Sequence, residues 1–281
     1  MLAGFLLALR EGIEAALIVG IVLGMLKKMQ RADRVPLVWL GVGAAAAISL
    51  IAAIALNTLG AEFEGPGEIA FEGLTMMFAA GVLTWMIFWM QKQGRQTQLG
   101  LEADVRQALT RGTTLGLFLV PFLAVLREGV ELALFLTAVN FSESIVGVDA
   151  PILGWLGGVL GLIAAAIVGW LIFESSVKLN LRRFFQFTSL VLIFFAAGLF
   201  AHGVHEFNEL GWIPPVIEHV YDVNALIPQA GTVGQFLQAL FGYNANPSLT
   251  EMIAYGGYFV VVFGLMRWLA RRPVSEVAAA A

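Results

Sequence analysis

A chain of 281 residues in which 59% are hydrophobic and 13% charged, with a mean hydropathy of +0.84, lies outside the composition of soluble domains and reads as an integral membrane protein. It contains no cysteine, which excludes disulfides and thiolate metal sites, so any metal must be held by oxygen or imidazole and soft ions such as Cu(I) are disfavoured. The formal net charge of −4 says little alone, because the side of the membrane on which each charge lies is what matters.

Seven apolar stretches are long enough to cross about 30 Å of hydrocarbon as helices: residues 3–28, 35–59, 69–91, 113–139, 152–173, 184–205 and 251–269. The first lacks a basic leader and carries Arg10 and Glu11 within it, so it is expected to be a permanent span and not a cleaved signal peptide. The links alternate in charge. Lys27, Lys28, Arg31 and Arg34 follow the first span, Glu62, Glu64 and Glu68 the second, and Lys92, Arg95, Arg106 and Arg111 the third. Glu143 and Asp149 follow the fourth, Lys178, Arg182 and Arg183 the fifth, and Arg267, Arg271 and Arg272 lie at the end of the last. By the positive-inside rule the N-terminus is outside and the C-terminus cytoplasmic.

Two links have content of their own. In 92–112, Leu101, Val105 and Leu109 recur every four residues between charges, the pattern of a short amphipathic helix on the cytoplasmic surface. The long link 206–250, with Pro214, Pro215, Pro228, Gly231 and Pro247, predicts an outward cap of short pieces.

The first span contains REGIE, Arg10 to Glu14, and the fourth REGVE, Arg127 to Glu131. Each charge at the centre of a membrane helix costs roughly 2.5–3.5 kcal/mol to insert, so a set that occurs twice needs a functional reason. The motifs are offset by 117 residues (127 − 10), and the same offset carries Ala79, Ala80 and Gly81 onto Ala196, Ala197 and Gly198. Spans one to three thus correspond to spans four to six. Because three is odd, the halves run in opposite directions, which predicts a 3+3 inverted repeat plus one helix. The organisation is then 1–91 as the first repeat, 92–112 as a cytoplasmic linker, 113–205 as the second repeat, 206–250 as the cap, and 251–281 as the seventh helix and tail.

At 100° per residue, Arg10, Glu11 and Glu14 share one side of a helix, while Gly12, Ala16, Gly20 and Gly24 form a small-residue stripe on the other, where a second helix can approach. Arg127, Glu128 and Glu131 repeat this geometry, with Gly129 and Ala133 in the small positions. Glu11, Glu14, Glu128 and Glu131 therefore supply hard oxygen donors that can converge on a cation near the midplane. Arg10 and Arg127 would keep them ionised and oriented, and limit how tightly the ion is trapped. The competing reading is that each arginine merely neutralises its own glutamates.

At the outward end, Glu72 opens the third span, and His202, His205, Glu206 and Glu209 close the sixth as two i, i+4 imidazole and carboxylate pairs. They form a candidate cluster for collecting or handing over a metal ion. Met86 and Met90, like Met25 and Met29, read as apolar packing, and Trp85, Trp89, Trp155, Trp170 and Trp268 as interfacial anchors. Asn140 opens a glycosylation-type triplet that carries no weight beside a membrane boundary.

The doubled REGxE, the third-span sequence FEGLTMMFAAGVLTWMIFWM and the sixth-span end AHGVHEFNELG resemble the oxidase-dependent iron transporters, the high-affinity iron permeases of fungi and their bacterial EfeU-type relatives. The resemblance covers essentially the whole chain. It implies a permease of the plasma membrane, the inner membrane in bacteria, with iron as substrate, no permanently bound cofactor and no enzymatic activity of its own. The REGxE glutamates are its expected iron ligands. The iron would move inward as ferric ion after external oxidation by a partner, a multicopper oxidase in fungi, or a periplasmic cupredoxin-like protein and a haem peroxidase in bacteria. The bilayer is the other partner, and no nucleic acid is expected. The rival readings are transport of another hard cation such as manganese, a membrane redox protein binding haem through His202, His205 or His219, and a scaffold for an external oxidase that moves no ion itself.

Overall fold

A computed structural model describes residues 1–62, 65–93, 114–144, 150–174, 181–229 and 231–270. The predicted amphipathic segment around Leu101, Val105 and Leu109 lies outside them, as do Glu64, Arg95, Arg106, Arg111, Asp149, Lys178, Arg271 and Arg272. The described residues form helices and no strand. In chain order these are α1 (Leu2–Lys28), a 3₁₀ turn (Ala32–Arg34), α2 (Val35–Glu62), α3 (Pro66–Gln93), α4 (Thr114–Ser144), α5 (Ala150–Glu174), α6 (Leu181–Glu209), α7 (Thr232–Phe241) and α8 (Leu249–Ala270).

Each apolar stretch read from the sequence lies within one of the long helices, apart from residue 113, which lies outside the described residues. Five of them, α2, α3, α5, α6 and α8, are long and apolar enough to cross a membrane by length and composition alone. The two motif helices, α1 and α4, run to 27 and 31 residues and differ by carrying their charged triplets in mid-helix. Helix ends follow local chemistry. Lys27 and Lys28 fall in the last turn of α1, where cations complement the helix dipole. Ser248 and Glu251 form a capping box at the start of α8: the Ser248 amide donates to Glu251 Oε1 and the Glu251 amide to Ser248 Oγ, both at 3.2 Å.

The helices pack chiefly as α1 on α5, α2 on α4 and α3 on α6, with α1 against α4 joining the pairs and α8 flanking α6. Small residues set the approach. Gly41 of α2 lies against the Phe118 carbonyl and Phe122 amide of α4, and Gly157 of α5 against the Met1 carbonyl and Phe5 amide at the start of α1. The main core joins Leu7, Met76, Leu83, Phe135, Ala196 and Leu199, and includes both Ala79–Ala80 and Ala196–Ala197.

The region read as an outer cap contains α7, whose end reaches well down α6. Gly242, in the left-handed conformation at φ 66°, packs directly on Gly198, two turns and about 10 Å along the helix axis from His205. Phe241 meets Phe194 at 5.4 Å between ring centroids. Hydrogen bonds tie the return segment to the preceding link: the Tyr243 hydroxyl donates to the Ile227 carbonyl at 3.0 Å, and the Val223 amide to the Ala245 carbonyl at 3.0 Å.

Candidate functional site

The glycines inside the two motifs explain how the charged sides come to face inward. A Cβ on Gly12 would lie 2.6 Å from Ala165 Cβ, and one on Gly129 would overlap Ser49. Ala16 continues the first contact against Gly169. The small side of α1 is thus occupied by α5 and that of α4 by α2, which turns the acidic sides toward each other across the α1–α4 contact.

There, one carboxylate oxygen each from Glu11, Glu128 and Glu131 lies within 4.8 Å of the others, the group of metal-ligating side chains found among the described residues. Glu11 and Glu128 are almost fully buried, at 1% and 5% exposure. The Oε2 atoms of Glu11, Glu128 and Glu131 have no hydrogen-bond partner. Buried carboxylate oxygens without partners are costly, and three carboxylates this close make a pocket of hard oxygen donors suited to a cation.

The arginines engage the Oε1 atoms of these carboxylates. Arg10 Nη1 pairs with Glu11 Oε1 at 2.5 Å, and Nη2 with Glu14 Oε1 at 2.9 Å. Arg127 Nε pairs with Glu131 Oε1 at 2.9 Å and lies 4.0 Å from Glu128 Oε1. Glu14 is therefore held by Arg10 beside the three-oxygen group and not within it. Arg10 is wholly buried while the Arg127 side chain is 36% exposed.

Two residues that sequence reasoning assigned elsewhere meet these arginines. Arg10 Nη1 also donates to Met86 Sδ at 2.9 Å, and the Arg127 guanidinium lies 4.5 Å from the centroid of the Trp89 ring. Met86 is buried packing as expected, but it is also an acceptor for the motif. Trp89 is a cation–π platform and not simply an interfacial anchor. Trp85, Trp170 and Trp268 are exposed, as anchors would be.

The group expected at the outward end is arranged around α6. His205 bridges Glu209 and Glu251, with Nε2 3.3 Å from the first and Nδ1 2.8 Å from the second. Glu251 also accepts from Asn244 Nδ2 at 2.6 Å, so this imidazole ties α6 to α8 and the return segment. Sequence reasoning missed Glu251. Its signal was the S-x-x-E pattern at residues 248–251, ahead of an apolar run. His202 is buried, with Nδ1 2.9 Å from the Gly198 carbonyl and Nε2 unpartnered. Glu206 is buried at the α3–α6 crossing, its Cβ 3.0 Å from where a Cβ on Gly73 would sit, and Glu72 stands beside it, half-buried, on the neighbouring position of α3. These residues thus divide into a clamp, His205 with Glu209 and Glu251, and the acids Glu72 and Glu206 at the α3–α6 seam. His219 is exposed in the cap, and Asn140 is buried with both amide atoms unpartnered, so it is no surface acceptor for a glycan.

The family model described as "Iron permease FTR1 family" matches residues 1–271. The protein named ferrous iron permease EfeU of Escherichia coli O157:H7 is 38% identical over 262 residues, covering 92% of this chain and 93% of its own length. That of Yersinia pestis is 37% identical over 283 residues, covering 100% and 98%. The Escherichia coli K12 relative, named a putative inactive ferrous iron permease EfeU, is also 38% identical over 262 residues. No solved structure matches the chain.

Proposed function

The chain belongs to the iron permease FTR1 family, and from that premise we propose that iron crosses the membrane through the pocket formed by Glu11, Glu128 and Glu131. Iron permeation by a multi-pass inner-membrane protein is the activity the family supplies. The observation that carries the site is the convergence of three carboxylate oxygens within 4.8 Å, two from buried residues and one from a partly buried one, drawn from both REGxE helices. Carboxylates so close repel one another, and a cation placed among them offsets that repulsion while using oxygens that nothing else occupies.

In this reading α1 to α3 and α4 to α6 are inverted halves, with α8 added and the N-terminus outside. Support comes from how the halves interlock. The Gly41 contact uses Phe118 and Phe122 of α4, and the Gly157 contact uses Met1 and Phe5 of α1, pairs that differ by the same 117 residues as the motifs. Each motif helix therefore packs on the second helix of the other half in the same way. Rocking of one half against the other would open the pocket to each side in turn.

Glu72 and Glu206 lie at the outer end of that path and would draw the ion in, with the clamp around His205 holding α8 in register. The relatives are named for ferrous iron, whereas oxygen-only ligation suits ferric ion. Both are accommodated if ferrous iron arrives outside, is oxidised there by a partner, and enters the pocket as ferric ion. An external oxidase, or a periplasmic cupredoxin-like protein with a haem peroxidase, would supply that step.

Iron uptake into proteoliposomes by the wild type, Glu11→Gln and Glu131→Gln tests the assignment. We expect at least tenfold slower uptake in both variants at equal amounts of folded protein. Wild-type rates in both would remove the site. Manganese added in excess as a competitor separates an iron pocket from a general hard-cation one, which would lose iron uptake in proportion to the manganese present.

A further inference from the structure

Helix α3 contributes no ligand to the midplane pocket, yet it touches the arginine of each motif. Met86 and Trp89 lie three residues apart on one side of α3. The first accepts from Arg10 at 2.9 Å and the second lies under Arg127 at 4.5 Å. α3 is itself held from elsewhere: Thr84 Oγ1 and the Tyr258 hydroxyl of α8 are 2.7 Å apart, and Ala79 and Ala80 are buried in the core with Ala196 and Ala197 of α6. The two arginines therefore meet a support whose position does not depend on them.

The pairing geometry gives this support a purpose. A guanidinium tends to bind a carboxylate through two parallel N–H···O bonds. Neither Glu11 nor Glu131 is held in that way. Arg10 donates Nη1 to Glu11 Oε1, with Nη2 in an ion pair 2.9 Å from Glu14 Oε1, and Arg127 donates Nε to Glu131 Oε1. In each case the second oxygen, Oε2 of Glu11 and of Glu131, is left without a partner. An arginine free to reorient would close on that oxygen and remove it from the pocket.

We propose that Met86 and Trp89 are positioning residues for iron binding: they hold Arg10 and Arg127 in single-oxygen pairing and so keep the Oε2 atoms of Glu11 and Glu131 available to the ion. The sulfur anchors Nη1 of Arg10 from the α3 side, and the indole face restrains the Arg127 guanidinium by cation–π attraction. This inference rests on the reading of Glu11, Glu128 and Glu131 as the pocket. Its consequence is specific to affinity. Releasing either arginine neutralises the pocket further, raising KM for iron while leaving the turnover of occupied transporters near its normal rate.

The test is the concentration dependence of iron uptake into proteoliposomes for the wild type, Met86→Leu, Trp89→Leu, Trp89→Phe and Glu131→Gln, with transporter quantified as monodisperse protein. Loss of a cation–π contact of ordinary strength corresponds to about threefold to tenfold in binding. We expect KM to rise by about that factor in Met86→Leu and Trp89→Leu, with Vmax retained, and Trp89→Phe to recover part of it because an aromatic face remains. Unchanged KM in both leucine variants, or a fall in Vmax alone, overturns the positioning role. If Glu131→Gln abolishes uptake while the leucine variants keep wild-type KM, only this inference falls. If Glu131→Gln transports normally, the pocket falls and the inference with it.

Discussion

Gly129 of the second motif packs directly on Ser49 of α2, leaving no room for a Cβ, and Gly12 of the first motif bears the same relation to Ala165 of α5. The glycine of REGxE is thus the point at which the partner half seats on the motif helix, on the side away from the glutamates. Overpacking such a contact costs about 1–3 kcal/mol. We expect Gly129→Ala to lower thermal stability in detergent by that amount, and Ser49→Gly to restore part of it in the double variant. Additive losses, with no recovery, would mean that the two residues are not in contact.

The glutamates of one motif are not equivalent. Glu11 belongs to the three-oxygen group, whereas Glu14 is tied to Arg10 at 2.9 Å and lies beside it. Removing Glu14 leaves Arg10 with Glu11 and Met86 and takes no oxygen from the group. We expect Glu14→Gln to retain more uptake than Glu11→Gln, by at least a factor of about five, which is roughly 1 kcal/mol of binding. Equal losses in the two variants would place both carboxylates on the ion.

Much of this site was legible in the sequence. Helical spacing put each charged triplet on one side and the small residues on the other, and the 117-residue offset paired the motifs, because both depend only on distance along the chain. Contacts set by the rotation of a third helix were not legible. Met86 and Trp89 have apolar and interfacial readings that hold for most such residues in membranes, and nothing in their spacing says that α3 turns them toward Arg10 and Arg127. The role of His205 was half legible. Its i+4 partner Glu209 could be read off, but Glu251 lies 46 residues away and meets it only through the capping box that begins α8.

That difference separates two classes of outer residue. Glu251 is buried and accepts from His205, Asn244 and the Ser248 amide, so Glu251→Leu strands several polar groups at once and should destabilise the protein by about 1–3 kcal/mol. Glu206 has no such role in joining α6 to α8. Glu206→Gln and Glu72→Gln should instead leave the melting temperature within a few degrees of wild type and slow uptake at low iron, where capture limits the rate. A large stability loss in Glu206→Gln would make it a structural residue and remove it from the ion path.

The absence of cysteine makes the proposed topology open to single-cysteine labelling. Asp33, in the short turn between α1 and α2, and Leu226, 83% exposed in the segment before α7, belong on opposite sides of the membrane in the N-outside arrangement. In spheroplasts, a charged maleimide added outside should modify Leu226→Cys and spare Asp33→Cys until the cells are opened. The reverse pattern would invert the orientation, and with it the direction in which Glu72 and Glu206 precede the pocket.

The unequal burial of the two arginines also bears on the transport cycle. In the proposed topology Arg10 lies on the outer side of its glutamates and Arg127 on the inner side of its own. Arg10 has no exposure and the Arg127 side chain 36%, the asymmetry expected in that topology of a pocket closed on the outer side and open toward the inner one. Inverted halves can exchange conformations, and the exchange would bury Arg127 and uncover Arg10. Leu7, one turn outward of Arg10, and Ala124, one turn inward of Arg127, are equivalent positions in the two halves and differ in the same sense, the first wholly buried and the second partly accessible. A hydrophilic thiosulfonate reagent reacts with thiols that meet water. In the iron-free protein we expect Ala124→Cys to react faster than Leu7→Cys by an order of magnitude or more, about the ratio for a 1.4 kcal/mol preference between states. An iron gradient that draws the transporter outward-facing should narrow that ratio by speeding Leu7→Cys and slowing Ala124→Cys together. Rates that change at one position only would argue for a gated channel in place of exchange between the halves.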